Sequence, residues 1–320
     1  MRIALLGYGN AGRALAALIQ KKRRAFPFLI VGIHTARHGT AYDSNGVALE
    51  PDFGPAARSV DEFLDRAASD VVVEITTLNP ATGEPALSHI RAAFARRRHV
   101  VTANKGPIAH AYTALRSEAQ RAGVAFRFES TVMDGAPIFN LVHKTLPGVK
   151  VRGFTGVLNS TCQVVIEAMR KGASMEDGIE AARRLGVTEA DASYDIDGWD
   201  TAAKAAVLAN VLMDARVTPL DIDRRGIGRL TPERMSELSK SRKTVALVCR
   251  GRTRPSGIRL RVRAEVLDDT DPLASIRGTS NLLFLHTDLM GTLGISEVSG
   301  GIEQTAFGLF SDLVDVAKLK

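Results

Sequence analysis

The chain has 320 residues, 45% of them hydrophobic and 24% charged, and its 42 basic and 35 acidic side chains leave a net charge of +7. That length accommodates two domains with cores of their own, and the composition excludes a disordered, collagenous or low-complexity chain. No apolar stretch reaches the roughly 20 residues of a membrane-spanning helix, the N-terminus lacks the layout of a signal peptide, and Cys162 and Cys249 are too few for a disulfide framework. A reduced, cytoplasmic setting with no membrane partner is therefore expected.

Residues 1–130 alternate two patterns. Short apolar runs at 2–6, 28–33, 70–75, 99–102 and 124–129 read as strands, and amphipathic stretches at 13–22, 84–97 and 108–122 read as helices. Continuous Val/Ile-rich runs alternating with helices predict a doubly wound parallel sheet of the Rossmann type, covered on both faces. The Gly-, Asp- and Ser-rich segment 34–59 reads as a long loop. The basic runs Lys21-Lys22-Arg23-Arg24 and Arg96-Arg97-Arg98 each close a helical stretch, where cations meet the negative end of the helix dipole. Aromatic residues are only 5% and do not interleave with these runs, so no nucleic-acid partner is expected.

After Pro137 the rhythm changes. A helical region at 160–186, interrupted near Gly172, and an Ala-rich one at 201–213 precede period-two stretches at 244–250, 258–266 and 281–286. Helices followed by strands predict an α+β second domain. The tail 305–319 is apolar at helical spacing and is expected to pack back on the first domain. The expected division is a dinucleotide-binding domain, 1–136 with 301–320 packing back, and a substrate-binding, catalytic and dimerisation domain, 137–300.

The first strand runs into Gly7-Tyr8-Gly9-Asn10-Ala11-Gly12, a G-x-G-x-x-G turn that opens a helix. The first glycine permits the tight turn, the second lets backbone approach a pyrophosphate, and the third lets helix and strand pack closely. The stretch GIHTARHGT at the end of the second strand has no acid for a ribose 2′-hydroxyl; His34, Arg37 and His38 suit a 2′-phosphate instead. The expected cofactor is NADP(H), with NAD(H) as the alternative.

Three further stretches stand out. Lys105, in Thr102-Ala103-Asn104-Lys105, follows the fourth strand at the edge where such sheets bind ligands. In the acid-rich run 189–204, Asp200 and Lys204 are four residues apart and share a helix face. A surface ion pair would look the same, but the Ala-rich helix that follows argues for burial, where a Lys beside Asp can serve proton transfer. The run lacks the register of a calcium loop. Glu129-Ser130-Thr131-Val132-Met133-Asp134-Gly135-Ala136-Pro137 leaves the fifth strand through a Gly and Pro turn. It reads equally as a simple interdomain connection.

Together the glycine turn, T-A-N-K at 102–105, E-S-T-V-M-D-G-A-P, N-S-T at 159–161, E-x-D-x-x-x-D-I-D-G-x-D-x-x-x-K and the closing G-G-x-x-x-T-A at 300–306 resemble the homoserine dehydrogenase family, in order and over almost the whole chain. The resemblance implies NAD(P)-dependent interconversion of L-homoserine and L-aspartate 4-semialdehyde by a homodimer. It implies Lys204 as proton donor or acceptor, Asp200 as its orienting partner and Lys105 by substrate and nicotinamide. Glu189, Thr161 and Asp195 would hold substrate, and Thr76 and Gly301 would join the glycine turn and Arg37 at the cofactor. It further implies a sodium site formed by Glu129 and the backbone oxygens of Val132, Asp134 and Ala136, a donor set suited to a hard cation. A short form is expected, without the regulatory ACT domain that many members carry after the segment corresponding to this chain's end. The sequence departs from the family pattern at Ser160, Cys162-Gln163, Met133-Asp134 and Val298-Ser299. The departure at N-S-T-C-Q supports one alternative, an oxidoreductase acting on another small amino or hydroxy acid; the other is a dinucleotide-binding regulator without catalysis, against which the retained Asp200, Lys204 and Lys105 argue.

Overall fold

The computed structural model of the chain describes residues 1–188 and 191–319. They form two units, Met1–Pro137 with Ile302–Lys320, and Ile138–Gly301. Among the described residues no helix is long and apolar enough to cross a membrane.

The first unit is built on strands β1 (Arg2–Leu6), β2 (Leu29–Thr35), β3 (Gly39–Tyr42), β4 (Val71–Glu74), β5 (His99–Thr102) and β6 (Phe126–Arg127). They form one sheet in the order β3-β2-β1-β4-β5-β6, parallel throughout except that β3 runs antiparallel to β2. The segment expected as one long loop thus begins with a hairpin, which pairs Gly32 with Tyr42 through Thr35 with Gly39. Its strand is short and Gly-bounded, so it carries little period-two signal. Ile3, Leu5, Val71 and Val73 supply the middle of the core.

On one face of the sheet, Leu15 and Ile19 of the Asn10–Lys22 helix meet Leu309, Leu313 and Val316 of the C-terminal helix, Ile302–Ala317. That helix is also tied by polar contacts: Arg127 Nε lies 2.6 Å from Asp315 Oδ2, and the Glu129 backbone N–H donates to buried Asp312 at 2.9 Å. Burial pushes the Asp312 carboxyl up to about 8. The first basic run does put Lys21 and Lys22 in the last turn of its helix. The second follows the Ala86–Ala95 helix, and there Arg96 is spent on Asp61 at 2.5 Å and Asp65 at 2.6 Å.

The second unit holds β7 (Val151–Val157), β8 (Asp223–Arg225), β9 (Lys243–Arg254), β10 (Gly257–Asp268), β11 (Asn281–Thr287) and β12 (Thr292–Glu297), in the order β12-β11-β7-β9-β10-β8. All neighbours are antiparallel except β8 and β10. The helical region from 160 divides into Ser160–Arg170 and Met175–Arg184, broken where Gly172 takes a φ of +91°. The Trp199–Leu212 helix is buried from Asp200 to Val211 along nearly its whole surface.

Leu313 is fully buried in the core that the C-terminal helix completes. Leu313→Ala is expected to cost about 2–5 kcal/mol, measured as a lowered urea midpoint, whereas the exposed Phe307→Ala should change it by less than about 0.5 kcal/mol.

Candidate active site

At the carboxyl edge of the first sheet, β1 enters the glycine turn. Gly7 has a φ of +101°, and a Cβ there would lie 2.5 Å from the Ile75 carbonyl oxygen, so only glycine fits. Gly9 stands at the N-cap of the Asn10–Lys22 helix, which has no side-chain cap and no acid in its first turn. A Cβ on Gly9 would meet nothing within 4 Å. Asn10, Ala11 and Gly12 therefore begin a helix whose orphan N–H groups adjoin open space, the setting that binds a phosphate. Tyr8 turns inward instead: its hydroxyl donates to the Leu49 carbonyl at 2.7 Å and its ring packs by Phe53.

At the end of β2, Arg37 and His38 are exposed in the turn to β3. His34 is bound up in the fold, its Nδ1 2.8 Å from the Thr40 hydroxyl and its ring against Phe63. Burial, with a contribution from His89, holds the His34 imidazole below its ordinary value, so it adds no cation at neutral pH. Arg37 keeps a permanent positive charge in this turn.

Glu74, the last residue of β4, is fully buried and was not singled out from the sequence. Its carboxylate accepts from the Thr76 N–H at 3.2 Å and from the Thr76 hydroxyl, and His89 Nδ1 lies 3.5 Å away. The Thr102 hydroxyl donates to the Glu74 carbonyl at 2.7 Å, and the Asn104 amide donates to the Thr76 carbonyl at 3.2 Å. Asn104 also caps the Lys105–Ala122 helix through the Gly106 N–H, which fixes Lys105, half-buried, as that helix's first residue. The available signal was an acid ending the apolar run VVV at a ligand-binding edge.

Glu129 and Val132 are buried, and Asp134 adopts a φ of +42° with its carboxylate accepting from the Thr305 hydroxyl at 2.9 Å. Ala136 closes the turn through an N–H bond to the Met133 carbonyl, 2.8 Å. Among the described residues no three His, Cys, Asp or Glu side chains gather to hold a metal. A cation at this segment would have to be held by the Glu129 carboxylate and backbone oxygens.

In the second unit Lys204 and Asp200 form an ion pair of 3.1 Å, with their side chains only 16% and 12% exposed. The pair is buried as the Ala-rich helix suggested. Lys204 Nζ also donates to the Leu158 carbonyl at the end of β7, 2.5 Å away. Asn159 completes the cluster. Its amide nitrogen donates to Asp195 at 2.6 Å and Asp200 at 2.9 Å, and its oxygen caps the Ser160–Arg170 helix by accepting from the Cys162 N–H at 2.8 Å. Thr188 donates to the other Asp195 oxygen at 3.3 Å.

Burial first, then the Asp200 charge, raises the Asp195 carboxyl above its ordinary value, against Asn159, Lys204 and Thr161. Thr161, 2% exposed, donates to the Val187 carbonyl at 2.9 Å. Of the other acids in the run, Asp191 and Asp197 are exposed, and Glu189 lies outside the described residues. Trp199 is half-buried with the Arg224 guanidinium 3.6 Å over its ring. Gly301 is the last residue of the second unit. Cys162 is buried with its thiol donating to the Asp195 carbonyl at 3.3 Å.

An open glycine turn on a doubly wound sheet is how nicotinamide-dependent oxidoreductases hold their dinucleotide, and a buried ion-paired lysine suits the proton that accompanies a hydride. Residues 137–314 match the homoserine dehydrogenase family model and residues 7–129 that of the family's NAD-binding domain. The chain is 34% identical to homoserine dehydrogenase of Methanocaldococcus jannaschii, covering 99% of this chain and 98% of that one. It is 33% identical to the NAD(+)-dependent homoserine dehydrogenase of Pseudomonas canavaninivorans, covering 98% and 96%. Against homoserine dehydrogenase from Thermoplasma acidophilum the TM-score is 0.87 at 25% identity, with 99% of both chains covered. Against a hyperthermophilic archaeal homoserine dehydrogenase mutant in complex with NADPH it is 0.82 at 27% identity, with 100% and 98% covered. The chain belongs to the homoserine dehydrogenase family.

Two outcomes follow from this geometry. Gly9→Ala should leave the urea midpoint unchanged, since a Cβ there meets nothing within 4 Å, while weakening binding of a reduced nicotinamide dinucleotide at least about tenfold in a fluorescence titration. The Asp195 carboxyl holds its proton to higher pH in the folded chain than the ordinary value near 3.9. The stability it contributes is therefore present below about pH 4 and lost as pH rises through the raised folded value. Asp195→Asn should accordingly be more stable than the parent at pH 7.5, with the gap narrowing at pH 4.5, as read from urea unfolding at both.

Proposed function

We propose that this chain interconverts L-homoserine and L-aspartate 4-semialdehyde with a nicotinamide dinucleotide, and that Lys204 handles the proton. The observation that carries the reading is the buried Lys204–Asp200 pair held by Asn159. The dinucleotide, when bound, gives or takes the hydride. In the reducing direction Lys204, as ammonium, delivers a proton to the substrate oxygen as charge builds there; in the oxidising direction it receives it. Asp200 favours the ammonium form and fixes its aim, and the Leu158 carbonyl accepts a second of its hydrogens.

The same reading gives Asp195, Thr161 and Glu189 to the substrate, Lys105 to substrate and nicotinamide, and Gly7 to Gly12, Thr76 and Gly301 to the cofactor. It gives Glu129 and the backbone oxygens of Val132, Asp134 and Ala136 to a sodium ion, a homodimer as the assembly, and the cytoplasm as its location. NADP(H) is the proposed preferred cofactor, with NAD(H) as the alternative. Exposed Arg37, and the lack of an acid at the end of β2, support that choice.

The test is spectrophotometric. The chain should reduce NADP+ with L-homoserine, and Lys204→Ala should lower kcat by about 10²–10⁴-fold while leaving NADPH affinity intact. Dinucleotide binding without homoserine turnover in the parent would sink the reading. Arg37→Ala should raise KM for NADP+ by about tenfold and leave KM for NAD+ unchanged; equal effects on both would remove the NADP(H) preference.

A further inference from the structure

Asp195 and Asp200 reach the Asn159 amide nitrogen at 2.6 and 2.9 Å, one from before and one from after Gly198 in the chain. Gly198 adopts a φ of +81° at the start of the Trp199–Leu212 helix, and no side chain caps that helix. A glycine in this conformation is a soft joint. A rotation there would carry Asp200 and Lys204 away together, since they share a helix face, and leave Asp195 behind on the short Ser193–Ile196 helix.

The joint is held from outside the acid-rich run, by residues 224–227 that follow the edge strand β8 across it. The Ile227 N–H donates to the Ile196 carbonyl at 2.8 Å, and the Arg224 guanidinium donates to the next carbonyl, that of Asp197. The same guanidinium lies 3.6 Å over the Trp199 ring. A Cβ on Gly226 would overlap the Ile196 carbonyl oxygen, so the two backbones meet as closely as backbone can. Arg224 thus grips the chain on both sides of Gly198, at Asp197 before it and at Trp199 after it. A planar guanidinium can donate from its edge and stack on its face at once, which a lysine ammonium cannot.

We propose that Arg224 is a positioning residue for the reaction. By clamping Asp197 and Trp199 across Gly198, it holds Asp200 and Lys204 in the orientation in which Lys204 meets the substrate oxygen. The effect on turnover rests on the homoserine reading above; the clamp itself does not.

The two cysteines report on the clamp without any reaction. The Cys162 thiol donates to the Asp195 carbonyl at 3.3 Å, and burial pushes that thiol well above its ordinary value, so it alkylates slowly while the turn is closed. Cys249, equally buried, lies on β9 and serves as the control. Iodoacetamide labelling of the intact chain, followed by mass spectrometry, reads the two rates separately. In Arg224→Met, which keeps the side chain's reach and removes its donors and charge, Cys162 should label at least about fivefold faster while Cys249 keeps the parent's rate. Turnover of L-homoserine should fall about tenfold in kcat, with the affinity for the reduced dinucleotide unchanged in a fluorescence titration. Arg224→Lys, which keeps a cation but reaches only one of the two partners, should shift the Cys162 rate and kcat in the same directions by about twofold, and it carries the test if the methionine variant does not fold.

An unchanged Cys162 rate in a folded variant overturns the clamp. Equal acceleration at both cysteines, or an unchanged kcat beside a faster Cys162, overturns the positioning role. If Cys162 alone is faster but the parent does not turn over L-homoserine, the clamp stands and the reaction reading falls.

Discussion

One amide holds the second unit's chemistry in place. Two carboxylates, half-buried Asp195 and buried Asp200, approach the same nitrogen of Asn159 at 2.6 and 2.9 Å. Left alone, such a pair would repel and one member would protonate. The Asn159 hydrogens and the Lys204 ammonium make the arrangement tolerable, and Asn159 cannot leave because its oxygen caps the Ser160–Arg170 helix. Rotating that amide would cost a helix cap and uncover two charges at once. The same side chain thus joins the strand end at Leu158, a helix start and the acid-rich run, so the Lys204 geometry depends on it.

The first unit solves its polar problem differently. Its sheet is buried on both faces, and at the carboxyl edge a buried Glu74 supplies the oxygen acceptors for the Thr76 loop, while its carbonyl receives the Thr102 hydroxyl. Asn104 returns from the next loop to the Thr76 carbonyl. These bonds order the loops between strand ends without occupying the glycine turn, where Gly9 remains open. A rigid edge with one open backbone stretch is what a dinucleotide site requires, since loops ordered beforehand do not have to be ordered by the ligand.

The doubly wound sheet was legible because its strands are continuous Val/Ile runs and its helices amphipathic, two periods that leave little room for another fold. β3 was not, since a four-residue strand rich in Gly and Thr has no readable period. In the second unit β9, β10 and β11 were legible, while β7, β8 and β12 were missed. β7 is interrupted by Gly153 and Gly156, and β12 has an exposed, mixed composition. The Asp200–Lys204 pair was legible because helical spacing is a local property. Glu74 and the bridging role of Asn159 were not, since both arise from partners far away in sequence.

By itself, then, the sequence determined the alternation that makes a parallel sheet, the glycine turn at its first crossover, and the one-face placement of Asp200 and Lys204, because each follows from backbone periodicity within a few residues. Only the tertiary structure decided which acids of the run 191–200 face Lys204 and which face water. Asp195 and Asp200 turn in to Asn159, whereas Asp191 and Asp197 stay exposed. Spacing through a loop and a single helical turn cannot fix direction; the long-range bond to Asn159 can, because burying a carboxylate is affordable only where a donor already waits.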